Sequence, residues 1–224
     1  MEMLSFSNVA FSYPVQPVFS DVNLSVEHGE LCFLIGKSGA GKSTLLQLIY
    51  MNILPDAGEV SVAGFNSRTI KPRNLPYLRR KLGIIFQDFK LLRDRNIYDN
   101  ISFILEATNT PKREIKRRVN DALTDVGLFH RRFSMPDELS GGEKQRIAIA
   151  RATINEPALI LADEPTGNLD PETANDIVDI LMKINKRGTA VLFATHNYEI
   201  IKRIPAKIYK LENGKALKAV AKPK

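Results

Sequence analysis

Residues 36–43 read Gly36-Lys37-Ser38-Gly39-Ala40-Gly41-Lys42-Ser43, which fits Gly-x4-Gly-Lys-Ser and follows the apolar run Leu31-Cys32-Phe33-Leu34-Ile35. A strand ending at Ile35 and a helix opening near Ser43 would leave successive backbone N–H groups of the glycine turn pointing at one spot, where a polyphosphate can sit. Glycine is needed there because the turn requires positive φ and because a Cβ would block the phosphate oxygens. In such a P-loop Lys42 bridges the β- and γ-phosphates and the Ser43 hydroxyl ligates Mg²⁺.

A second apolar run, Leu159-Ile160-Leu161-Ala162, leads straight into Asp163 and Glu164. After a buried strand in a P-loop chain, the first carboxylate suits the Mg²⁺ shell. The second suits a base that orients and deprotonates the water attacking the γ-phosphate. Both acids would equally favour the N-terminus of a following helix. Leu139-Ser140-Gly141-Gly142-Glu143 contains a Ser-x-x-Glu capping box before a helical run through Ile147, Ala148, Ala150 and Arg151. Each glycine in a first helical turn costs ~1 kcal/mol relative to Ala. The pair is therefore expected to leave bare backbone for a ligand, a second anion site at a helix N-terminus.

The elements that must position these groups follow from periodicity. Leu4, Phe6, Val9, Phe11 and Tyr13, then Val22, Leu24 and Val26, alternate with polar residues and predict two half-buried strands. Glu59 to Ala63 and Gly83 to Phe86 predict two more. Pro111 starts a charged helix with Ile115, Val119, Ala122, Leu123 and Val126 on one face, ended by Gly127, and no strand signal returns before Ala158. Ala158 to Ala162 and Ala190 to Ala194 are short apolar strands flanking a helix from Pro171 to about Lys186. Strand, helix, strand implies a parallel sheet, and ligands bind at the carboxyl ends of its strands, where Gly36, Asp163 and His196 fall.

With 224 residues, 44% of them hydrophobic, the chain can bury a core as one large domain or two small ones. No apolar run approaches the ~18 residues that cross a bilayer, and the N-terminus reads as a strand instead of a leader, so the cytosol is expected. The one cysteine, Cys32, excludes a disulfide framework and reads as a small buried hydrophobe. The net charge of +7 resides in Arg79-Arg80-Lys81, in Lys112-Arg113 with Lys116-Arg117-Arg118, and in a Lys/Ala-rich tail with Lys215, Lys218, Lys222 and Lys224. No aromatic residues interleave with them to stack bases. Solvated faces are expected, with an anionic membrane surface as the next reading and nucleic acid as the last.

Together the P-loop, Leu139 to Glu143, Asp163-Glu164, Gln87 and His196 resemble the nucleotide-binding subunits of ABC ATPases from residue 2 to about 214. Leu-Ser-Gly-Gly-Glu is the specific element. The resemblance implies an α/β P-loop NTPase with a RecA-like, mainly parallel sheet, an N-terminal antiparallel β part and a helical insertion. It implies one nucleotide-binding domain, with residues 1–86 and 157–224 as the ATP-binding core and 87–156 as the Q-loop and helical subdomain. Two subunits are implied to face head to tail across two ATP molecules, so that Ser140, Gly141 and Gly142 act on the partner's nucleotide. Residues Gly36, Lys37, Ser38, Gly39, Ala40, Gly41, Lys42, Ser43 and Thr44 would hold the phosphates, and Ser43, Gln87 and Asp163 would hold Mg²⁺. Tyr13 would stack on adenine, although a half-buried strand tyrosine would look the same. Gln87 would sense Mg²⁺ and water, Asp170 matches the D-loop as well as an ordinary helix start before Pro171, and His196 would contact the γ-phosphate. Lys42, Gln87, Glu164 and His196 form the implied catalytic set. Lys37, Asn168 and Asn197 depart from the commoner proline, alanine and aspartate.

The stretch Phe86 to Leu92, Asp94-Arg95, Tyr98-Asp99-Asn100 and Leu161 to Asp170 resembles the cell-division branch of that family. That implies a Mg²⁺-dependent ATPase on the cytoplasmic face of the inner membrane, contacting an integral membrane subunit through residues 87 to 100. Thr166 to Asp170 is shared with lipoprotein-releasing and macrolide-type exporters. An alternative of another class, a soluble ABC ATPase acting on nucleic acid, usually carries two cassettes or a long insertion. A small nucleotide kinase or GTPase would not explain Leu139 to Glu143.

Overall fold

The computed structural model describes residues 2–219; Lys222 and Lys224 of the basic tail lie outside the described residues. Two long strands open the chain, β1 (Glu2–Tyr13) and β2 (Gln16–Glu27), antiparallel with Phe6 opposite Leu24. Their alternating apolar residues face inward, as period-two patterning requires. There follow β3 (Leu31–Ile35), α1 (Lys42–Ile49), β4 (Ala57–Val62), β5 (Phe65–Asn66), α2 (Leu75–Arg80) and β6 (Leu82–Ile85). Three helices then succeed one another: α3 (Ile97–Glu106), α4 (Lys112–Asp125) and α5 (Gly141–Thr153). The chain continues through β7 (Leu159–Asp163), α6 (Pro171–Lys186), β8 (Ala190–Thr195), α7 (Tyr198–Arg203), β9 (Lys207–Glu212) and β10 (Lys215–Ala219).

All ten strands join in the order β5-β4-β1-β2-β10-β9-β3-β8-β7-β6. Strands β9, β3, β8, β7 and β6 run parallel, and β5, β4, β1 and β2 antiparallel. The parallel strands are apolar almost throughout because helices cover both faces. Leu45, Leu48 and Ile49 of α1 pack on one face with Leu34 and Leu192, and Ile177 and Leu181 of α6 pack on the other with Phe33 and Phe193. Helices α3, α4 and α5 share a separate core built on Ile101, Val119, Leu123 and Ile147. One residue of α5, Ile149, belongs to the α6 core, so this helix ties the two layers together.

Arg79, Arg80 and Lys81 are exposed, as a solvated face requires, and each also reaches backbone carbonyls. Arg79 donates to the carbonyls of Tyr50 and Met51, Arg80 to Ala107 and Lys81 to Ala63. Tyr50 and Ala107 cap the C-termini of α1 and α3, where orphan carbonyls and the helix dipole favour a cation. The Lys/Ala-rich tail is ordered up to Ala219 as β10, antiparallel to β9. Cys32 is buried as expected, and burial pushes its thiol up to about 12. No helix among the described residues is long and apolar enough to cross a membrane.

Fully buried Tyr209 of β9 joins the two halves of the sheet: its hydroxyl accepts from the Ser25 N–H at 3.0 Å, on the edge of β2 that β10 leaves unpaired there. Tyr209→Phe strands that N–H, and a stability loss of about 1–3 kcal/mol is expected in reversible urea unfolding. Unchanged stability would show that the contact contributes nothing.

Candidate functional site

Parallel register brings the chemistry to one edge. Ile35 pairs with Thr195 and Asp163 with Ala194, so Gly36, Glu164 and His196 emerge side by side where the strands end. Between β3 and α1 the loop turns on Gly41, which has φ 96° and where a Cβ would stand 2.9 Å from the side chains of Val18 and Phe19. Gly41 is also the N-cap of α1. No side chain caps this helix and no acid sits in its first turn, so its N–H groups and dipole face outward as an anion seat.

Lys42 opens that helix with its ammonium turned back into the loop, donating to the Gly36 carbonyl at 2.9 Å and lying 3.3 Å from Glu164 Oε1. Both side chains are nearly buried, 8% and 10% exposed, so the pair is held in a low-dielectric setting where charges interact strongly. The other oxygen of Glu164, Oε2, lies 2.9 Å from His196 Nδ1. A proton on Nδ1 donates to the carboxylate and leaves Nε2 free. Glu164 itself has φ 45°, a left-handed backbone that costs about 1–3 kcal/mol in a non-glycine residue. Its neighbour Asp163 has its carboxyl raised above the ordinary range, first by burial; the hydrogen bond from the Ser43 hydroxyl works in the opposite direction. Ser43 and Asp163, far apart in sequence, thus meet as an oxygen pair at the mouth of the loop.

Tyr13 ends β1 with 37% of its surface exposed, edge-on to Phe11 at 5.0 Å, its hydroxyl 3.5 Å from Thr44 Oγ1 in the first turn of α1. Gln87 follows β6, and its Nε2 lies 3.5 Å from the point a Cβ on Gly167 would occupy, in the turn that Glu164 begins. Asn197 caps α7 through the Glu199 N–H, so His196 is held by Glu164 and not by its sequence neighbour. Asp170 accepts from the Glu172 and Thr173 N–H groups as N-cap of α6, and the Thr173 hydroxyl is the first cause holding its carboxyl below the ordinary range.

The structure does not bring the Ser140 turn to the P-loop of the same chain. No hydrogen bond or ion pair among the described residues joins them. Ser140 caps α5 by accepting from the Glu143 N–H, and Glu143 reaches back to the Ser140 N–H, the capping box expected from sequence. A Cβ on Gly142 would meet Thr173 Cγ2 at 2.4 Å, and one on Gly141 would touch Leu169. Close approach of α6 thus adds a packing demand for a bare Gly142 beside the ligand expected there from sequence.

Against known families, residues 19–167 match the model described as "ABC transporter". The chain belongs to the ABC transporter ATPase family. It is 47% identical over 201 residues to the cell division ATP-binding protein FtsE of Streptococcus pneumoniae D39, covering 90% of this chain and 87% of that one. With FtsE of Mycobacterium tuberculosis it is 43% identical over 218 residues, 96% and 95% of the two chains. Its fold matches the dimeric post-hydrolysis cassette MJ0796 bound to ADP and Pi with a TM-score of 0.89 and 31% identity, over 98% and 99% of the chains. The chain is thus an ABC ATPase with the P-loop NTPase fold expected from sequence.

Two side chains near this site, Arg151 and Asn100, make contacts that the sequence did not reveal. Arg151 near the end of α5 donates to the carbonyls of Phe89 at 2.7 Å and Lys90 at 2.6 Å. Buried Asn100 of α3 bonds both the N–H and the carbonyl of Leu92, and the carbonyls of Arg95 and Asn96. Their partners are backbone groups, which leave no residue pattern to read.

Gly142→Ala should lose about 1–3 kcal/mol by overpacking against Thr173, more than the ~1 kcal/mol helix propensity it gains. Thr173→Ser, which removes Cγ2, should restore most of that loss in a double-mutant cycle of thermal unfolding. Additive losses would place the strain elsewhere.

Proposed function

We propose that the chain is the ATP-hydrolysing subunit of an FtsE-like bacterial cell-division ABC complex, peripheral on the cytoplasmic face of the inner membrane. In this reading two copies close on two ATP molecules and drive an FtsX-like integral membrane subunit that regulates cell-wall hydrolysis. The observation that carries it is the convergence of Lys42, Asp163, Glu164 and His196 on one anion seat in a chain similar to FtsE over most of its length.

The phosphates of ATP sit on the N–H groups of residues 36–44, and Tyr13 offers its exposed ring to adenine. An incoming γ-phosphate competes with Glu164 for the Lys42 ammonium. Once Lys42 turns to the phosphate, Glu164 loses a partner and its carboxylate is available to orient a water and accept its proton, with His196 keeping hold of the other oxygen. Ser43 and Asp163 suit Mg²⁺, and Gln87 stands near the same turn. Among the described residues no cluster of His, Cys, Asp and Glu could cage a metal unaided, which fits an ion that keeps waters and takes its remaining ligands from phosphate. Bound there, the ion neutralises phosphate charge. The Ser140 helix of the second copy supplies the N–H groups that this chain's own α5 cannot bring to its own P-loop.

Docking of the membrane subunit is supported by a cavity of about 480 Å³ next to the Gln87 loop, lined by Pro76, Arg79, Phe86, Lys90, Ile104 and Arg151 among others. Capture of this chain from bacterial membranes should bring down an FtsX-like protein. Recovery of an exporter permease instead would move the assignment to lipoprotein-releasing or macrolide-type export.

Lys42→Ala removes charge-assisted bonds worth about 1.5–3 kcal/mol each, so ATP affinity should fall about tenfold or more in a titration. Glu164→Gln should still bind ATP, accumulate as a dimer and stall hydrolysis. Turnover at the wild-type rate by that variant would remove Glu164 as the base.

A further inference from the structure

The helix that begins at the Ser140 turn ends on the loop that begins at Gln87. Helix α5 runs from Gly141 to Thr153, so Arg151 stands about 15 Å along it from Gly141. There the half-buried guanidinium donates one N–H to the Phe89 carbonyl and another to the Lys90 carbonyl. These acceptors are unusual: Phe89 and Lys90 have φ 60° and 50°, two consecutive non-glycine residues in left-handed backbone. Such a pair does not hold its shape unless something over-determines it. A planar two-pronged cation between two carbonyls can do so, because charge-assisted hydrogen bonds are roughly twice as strong as neutral ones. On the far side of the loop Asn100 grips Leu92, Arg95 and Asn96. Residues 89–96 are thus fastened to α5 at one end and α3 at the other, and both helices belong to the core that contains Val119 and Leu123.

We propose that Arg151 is a positioning residue that makes the Gln87 loop and the Ser140 turn a single mechanical unit, so that a displacement of residues 87–90 is delivered to the partner's ATP through α5. The span between them suits this task. Helix α5 is braced along its length, with Ile147 and Ala150 in the α3–α4 core, Ile149 in the α6 core, and the Ala152 carbonyl in close contact with Gly83 of β6, where a Cβ would lie 2.5 Å away. Arg151 also lines the cavity next to the loop, so a group docking there meets the strut directly. Lysine cannot replace it, since a single ammonium on a flexible stem lacks the fork that spans two adjacent carbonyls.

The inference rests on the reading that Ser140 completes the partner's ATP site, and the test separates the two. Full-length Arg151→Met and Arg151→Lys would be compared with the parent for ATP titration, steady-state ATPase kinetics, ATP-driven dimerisation in the Glu164→Gln background, and amide hydrogen exchange. Expected are monomer ATP affinity within about twofold, kcat and dimer affinity each down about tenfold or more, with Lys between Met and the parent, and faster exchange at residues 89–91 and at Glu143 and Lys144 together. Wild-type kcat and dimerisation in a folded Arg151→Lys would overturn the proposal. So would faster exchange confined to residues 89–91. If Arg151→Met does not fold, Arg151→Lys decides by the same measurements. If the Glu164→Gln parent itself fails to dimerise with ATP, the paired-site reading falls, while joint or separate exchange at the two ends of α5 still decides on the strut.

Discussion

Everything at this site depends on the parallel register of β3, β8 and β7. Three strands in step must end together, and whatever follows each one is delivered to a common edge. Gly36 follows β3, Glu164 follows β7 and His196 follows β8. The cross-strand pairs Ile35 with Thr195 and Asp163 with Ala194 fix this to the residue. In a parallel sheet covered on both faces no slip is tolerated, because shifting a strand by one residue would exchange its two buried faces. The arrangement at the strand ends is therefore inherited from core packing: Leu34 and Leu192 on one face and Phe33 and Phe193 on the other hold the strands in step.

On that scaffold the central interaction is the ion pair between Lys42 and Glu164. Lys42 and Glu164 are nearly buried, and removing a partner from a buried ion pair leaves an uncompensated charge, a costly state. Any group that draws Lys42 away would leave the Glu164 carboxylate with His196 as its remaining side-chain partner. The left-handed backbone of Glu164 serves both contacts. It turns the chain sharply after β7, so that the carboxylate points back across the strand ends toward Lys42 and His196, while Asp163, one residue earlier, turns to Ser43. Adjacent acids thereby receive different neighbours.

Much of this was legible in the sequence, because its strongest signals are local. Leu31 to Ile35 before a glycine loop, Leu159 to Ala162 before two acids, and the helix from Pro171 to Lys186 each occupy one element whose type follows from period and flanking residues. The Ser140–Glu143 box closes within one turn, so its pattern and its geometry coincide. What escaped the sequence is tertiary. The packing of Thr173 against Gly142 is one example, and Arg79 and Arg80 bonding to the carbonyls at the ends of α1 and α3 is another. Strand β9 closes the gap between the two kinds of sheet by a hydroxyl on Tyr209. An amphipathic pattern tells which face is buried and says nothing of which neighbour does the burying.

The separation of the two anion seats within one chain bears on assembly. The P-loop lies at the N-terminus of α1, whose packing partners are β4 and β7; the Ser140 turn lies at the N-terminus of α5, against α6 and the three-helix core. One chain thus holds the P-loop beside Glu164 and His196 in one place and the Ser140 turn in another. Two copies related by a two-fold axis would place each half opposite the other's complement, which closes the assembly and makes both sites equivalent.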